Sequence, residues 1–62
     1  MFVLRATSKL EESYYMNSIM VTSQVECAKK YSNKTEAEKD IEAFKRLFFY
    51  ESPKIEVVEL ED

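Results

Sequence analysis

The sequence predicts a small α+β domain: a three-stranded antiparallel or mixed sheet with a short helix and one longer amphipathic helix on one face, in the order β-β-α-α-β. Three observations predict it. Residues 2–7, FVLRAT, alternate apolar and polar side chains with the period of a half-buried strand. Ala37, Ile41, Phe44 and Phe48 recur at spacings of four, three and four, which draws one narrow apolar stripe along a helix. Residues 54–61, KIEVVELE, return to a strand-like pattern after Pro53. At 62 residues the chain has room for a single domain, 1–62, with much of its surface left exposed.

In the first strand, Phe2, Leu4 and Ala6 point one way and Val3, Arg5 and Thr7 the other. SKLEES at 8–13 is polar and charged and reads as a connection. Residues 14–22, YYMNSIMVT, are rich in aromatic and β-branched types and read as a second strand, with Asn17-Ser18 marking a bulge or bend. Neither face of that strand is clean: Tyr15, Asn17, Ile19 and Val21 share one, and Tyr14, Met16, Ser18, Met20 and Thr22 share the other.

At Ser23 the period changes. Ser23-Gln24-Val25-Glu26 has the form of a capping box and predicts a short helix over about 24–30, which needs tertiary packing to persist. Thr35-Glu36-Ala37-Glu38 repeats the pattern and predicts the start of the main helix, with Thr35 as its N-cap and Asn33 the next candidate. Glu42 and Arg46 lie opposite the apolar stripe as a favourable i,i+4 pair. The chain has no glycine, so Pro53 is expected to end the helix by restricting Ser52. In the last strand the alternation slips at Val57-Val58: either both faces of the strand are partly covered, or a bulge switches its inward side.

The search for chemistry is mostly negative. With no glycine there is no phosphate-cradling loop, and with no histidine there is no Ser-His or Cys-His pair. Cys27, the only cysteine, allows no internal disulfide and reads as a small buried hydrophobe. Glu36, Glu38, Asp40 and Glu42 fit a solvated helix face rather than a metal site. No catalytic residue, metal or cofactor is expected. MFVLR lacks the basic and apolar regions of a signal peptide, and no apolar run is long enough for a bilayer. With a lone cysteine, the chain reads as cytoplasmic.

Charge is unevenly spread. The formal net is −3, yet residues 51–62 set Glu51, Glu56, Glu59, Glu61 and Asp62 against Lys54 alone. There is no basic stripe, so direct nucleic-acid binding is not expected. The acidic segment reads as a charged protective edge, or as a surface that meets a basic protein groove. Aromatic residues also concentrate: Phe44 and Phe48 serve the helix stripe, but Phe49 is turned about 100° away and Tyr50 further. Those two are either helix-end packing or exposed anchors.

The run SQVECAKKYSNKTEAEKDIEAF resembles a pattern in short proteins of phages and prophages from low-GC Gram-positive bacteria. In these, a strand pair leads to an alanine, an aromatic, an Asn-Lys-x-Glu-Ala-Glu-type helix start and a closing acidic strand. The matching positions are Ala28, Tyr31, Asn33, Glu36, Ala37, Ile41 and Phe44, then Ile55, Val57 and Val58. The layout extends over the whole chain and the detail over about 23–60. The resemblance implies a shared fold and a setting in which small proteins block host defence, anti-CRISPR proteins among them, or redirect host enzymes. It implies no catalytic residue.

Two readings of function follow. In the first, the chain inhibits or modulates a host protein, such as a defence nuclease of the CRISPR-effector kind, by surface binding without catalysis. The contact set is then Tyr14, Tyr15, Met16 and Met20 with Phe49 and Tyr50, while Glu56, Glu59 and Glu61 steer approach to a basic groove. In the second, the same strand residues form a homodimer of a self-associating structural or regulatory domain. Neither involves a membrane.

Overall fold

A computed structural model describes residues 1–9, 11–48 and 52–61. Four strands appear: β1 (Phe2–Thr7), β2 (Glu12–Asn17), β3 (Met20–Thr22) and β4 (Lys54–Glu59). They form one sheet in the order β3-β2-β1-β4, with every neighbouring pair antiparallel. Two short helices, α1 (Lys34–Lys39) and α2 (Ile41–Lys45), supply the α part of this α+β fold.

The expectation of three strands is corrected to four because the predicted strand 14–22 folds back on itself. Asn17 accepts the Ile19 N–H through its side-chain oxygen at 2.9 Å, which closes a turn at Ser18 and Ile19. Tyr15 pairs with Val21 and Asn17 with Met20, so Met16 is the extra residue of a bulge. β1 and β4 pair without interruption from Phe2↔Glu59 to Thr7↔Lys54. The unbroken register resolves the slip at Val57-Val58: Leu4 and Val57 face the helices, and Val3 and Val58 face the other side.

The short helix over 24–30 contracts to one 3₁₀ turn, Val25–Cys27, which Ser23 does not cap and which leaves Cys27 exposed rather than buried. Too short to satisfy its own carbonyls, this stretch borrows a cation. Lys30 Nζ donates to the carbonyls of Val25, Glu26 and Ala28 at 3.2, 3.0 and 3.1 Å. The chain then passes between β1 and β2. The Lys29 N–H donates to the Tyr15 carbonyl at 2.9 Å, and Phe2 and Tyr31 exchange both backbone hydrogen bonds.

The main helix begins earlier than predicted and breaks in the middle. Asn33, not Thr35, is the N-cap, accepting the Glu36 N–H at 2.8 Å. Asn33→Ala should therefore lower stability by about 1 kcal/mol and Asn33→Asp should be near neutral, with Thr35→Ala causing little change in the melting midpoint. A midpoint that responds to Thr35 and ignores Asn33 would contradict this start. The break falls at Asp40, whose carboxylate is engaged away from the helix by the Tyr31 hydroxyl at 2.6 Å and Lys29 Nζ at 3.0 Å. α2 ends at Lys45, followed by tighter i→i+3 bonds from Leu47 and Phe48, so Pro53 precedes β4 rather than ending a helix.

The helices cover one face of the sheet. Leu4, Ala6, Tyr15, Tyr31, Ala37 and Phe44 are buried together there, with Phe2, Ile41, Ala43, Leu47, Phe48, Ile55 and Val57 packed around them. The predicted stripe Ala37, Ile41, Phe44, Phe48 thus faces the core. Phe44 sits at its centre, with ring centroids 5.4 Å from both Tyr15 and Phe48.

The Asp40 cluster fastens the helices to the strand-like segment beneath them. The Tyr31 hydrogen bond, joined by Lys29 and opposed by burial, holds the Asp40 carboxyl below its ordinary value. Burial first, then the Asp40 carboxylate, pushes the Tyr31 hydroxyl upward, so it remains a donor at neutral pH. A depressed folded-state value means that Asp40 stabilises above the ordinary aspartate range. That contribution disappears as pH falls through the depressed value. The melting midpoint of the wild type should therefore converge on that of Asp40→Asn with acidification; a constant gap between them would rule the linkage out.

Candidate functional site

The helix-free face of the sheet is built by the alternate residues of the same strands. Tyr14 of β2 lies directly opposite Arg5 of β1, and Arg5 opposite Glu56 of β4. Thr22 of β3 lies opposite Tyr14, so Thr22, Tyr14, Arg5 and Glu56 form one row across all four strands. Glu12, Thr7 and Lys54 form the next row. Val3 and Val58 are paired on the other side of Arg5. Val3 is fully buried, although among the described residues it is not part of the cluster packed beneath the helices.

Arg5 is the electrostatic centre of this face. Its guanidinium lies 3.6 Å from a Glu12 oxygen and 3.7 Å from a Glu56 oxygen, beyond hydrogen-bonding distance in both cases. Its Nε is buried with no hydrogen-bond partner among the described residues. The fork of donors is held in place by two carboxylates without being saturated by them. Tyr14 and Met16 are both half-buried, each leaving part of a large side chain in solvent. Tyr14 and Arg5 on this face, with Met16 at the bulge beside it, are the residue types that carry affinity at protein interfaces.

The residues expected to meet a partner divide. Tyr14, Met16 and Glu56 belong to this face or, for Met16, to the bulge beside it. Tyr15 does not: it is only 4 % exposed and packs edge-on against Phe44, so its expected contact role is corrected to a core role. Met20 is 50 % exposed but lies on the β3 edge. Glu59 pairs with Phe2 and Glu56 with Arg5, so the two glutamates alternate to opposite sides of β4. Glu61 is exposed beyond the strand. Phe49 and Tyr50 lie outside the described residues.

Sequence reasoning left Arg5, with Val3 and Val58, as a fallback face outside the expected contact set, although the alternation of FVLRAT sets it opposite Phe2, Leu4 and Ala6. It also missed Ile19, which read as strand interior and is 79 % exposed at the turn. Among the described residues no group of His, Cys, Asp or Glu is arranged to hold a metal ion, and no helix is long and apolar enough to cross a membrane. Comparison with protein-family models, curated proteins and solved structures gives no match. The surface itself therefore carries the functional argument.

Proposed function

We propose that this chain is a non-catalytic binding module that lays the helix-free face of its sheet on a host protein and so inhibits or modulates it. The observation that carries the reading is the row Tyr14–Arg5–Glu56, in which a half-buried ring flanks a guanidinium whose carboxylate neighbours lie beyond hydrogen-bonding distance. An antiparallel sheet with helices on one side leaves its second face to water or to a partner. Here that face presents anchors rather than a uniformly charged, solvated surface. The resemblance to small phage and prophage proteins supports a host protein as the partner. The acidity of the last segment favours a basic groove on it, of the kind that holds nucleic acid in a defence nuclease.

The charge component has its own test. With the purified partner, changing Glu56 and Glu59 together to Lys should slow association about tenfold at low ionic strength and flatten its salt dependence. Unchanged association rates at two salt concentrations would reduce these residues to a protective edge.

A further inference from the structure

The two outer strands of the sheet are guarded differently. β4 carries Lys54, Glu56 and Glu59, the charges that discourage an edge from pairing. β3 carries none. From Ser13 to Val25 the chain has no charged residue at all, in a sequence that is 34 % charged. Within that stretch Ile19, Met20 and Val21 are 79, 50 and 38 % exposed.

The hydrogen-bond pattern shows what this edge can accept. The Tyr15 carbonyl accepts from the Lys29 N–H, so the polar backbone groups of Tyr15 point away from β3. Tyr15↔Val21 is consequently a non-hydrogen-bonded pair, flanked by the bonded pairs Tyr14↔Thr22 and Asn17↔Met20. The N–H and carbonyl of Val21 then point outward from the sheet, where an antiparallel strand would meet them.

A second copy of this chain satisfies that edge with least conflict. Residues opposite each other in an antiparallel ladder share a face, so a two-fold axis normal to the sheet sets one residue against its own copy. With the axis at Val21, the two Val21 residues exchange N–H and carbonyl, Met20 meets Thr22, and no charge faces its like. The same operation on β4 sets Glu56 against Glu56, or Glu59 against Ile55. We propose that β3 pairs with β3 of a second copy about a two-fold axis at Val21, joining two four-stranded sheets into one.

The test is a concentration series followed by sedimentation and by amide exchange on the intact chain. The mass should rise from 7.3 kDa toward twice that value. Exchange at the Val21 N–H should slow about tenfold or more in step with the dimer fraction, while the Thr22 N–H, already bonded to β2, stays unchanged. Val21→Lys, which brings two ammonium groups together at the axis, should raise the dissociation constant at least about tenfold, and Lys54→Ala on the other edge should leave it unaltered. A chain that stays monomeric at every concentration overturns the proposal. So does a dimer in which Val21 exchanges as fast as in the monomer, a reading that needs no variant to fold. Binding of a heterologous partner does not enter either measurement, so this inference and the proposed host-protein reading can fail separately.

Discussion

Phe44→Ala is expected to lower the unfolding free energy by about 3–5 kcal/mol, the usual cost of emptying a buried phenylalanine site. Phe44 is fully buried where helix and sheet meet, with Tyr15 and Phe48 against its ring. Its own helix, Ile41–Lys45, is too short to persist without that packing. Ala37 is fully buried on the preceding helix and is too small to refill the space. In a domain of this size the loss approaches the whole stability. Thermal or denaturant unfolding by circular dichroism should show a broad transition or none. A sharp transition near the wild-type midpoint would mean that the apolar stripe does not hold the fold together.

Tyr14→Ala is expected to separate binding from folding. Its ring lies on the helix-free face beside Arg5, so its loss should change stability by no more than about 1 kcal/mol. It should still weaken association with the partner by about 2 kcal/mol, the scale of an interface anchor. The adjacent tyrosine is the internal control. Tyr15 is buried against Phe44, and Tyr15→Ala should lose stability and binding together, because one event removes both. If Tyr14→Ala also loses both in proportion, Tyr14 is a packing residue and the face has been misassigned.

Much of the scaffold was legible because periodicity sorts side chains by face, even though Val3 is buried on the face away from the helices. FVLRAT alternates as it does because one face meets the helices, and Ala37, Ile41, Phe44 and Phe48 recur as they do for the same reason. What escaped was decided by contacts between segments distant in sequence, or by a choice between two adequate local signals. Asn33 and Thr35 are both competent caps, and only the placement of the Glu36 N–H selects Asn33. The break at Asp40 coincides with bonds to Tyr31 and Lys29, which no helical pattern reveals. The aromatic and β-branched content of 14–22 favours a strand throughout, whereas the chain turns back at Ser18 and Ile19, where the Asn17 side chain accepts the Ile19 N–H.

The site was legible in the same uneven way. Alternation sets Tyr14 and Tyr15 on opposite faces but leaves open which face is the core; packing against Phe44 decides it. The acidic segment was visible as composition, yet its glutamates are divided between the two sides of β4 by the period of a strand. The exposed β3 edge depends on strand order, which the local pattern does not contain.

The most direct measurement of the central claim is parallel capture from host lysate on immobilised wild-type, Tyr14→Ala and Lys39→Ala chains, each first shown to melt like the wild type. Lys39 is exposed on the helix side of the molecule and serves as the control surface. If the proposed function holds, one protein should be retained by the wild type and by Lys39→Ala and be depleted on Tyr14→Ala, with the purified protein repeating that order in a binding titration. Equal retention by a folded Tyr14→Ala chain, or selective loss on Lys39→Ala, would contradict docking through the helix-free face of the sheet.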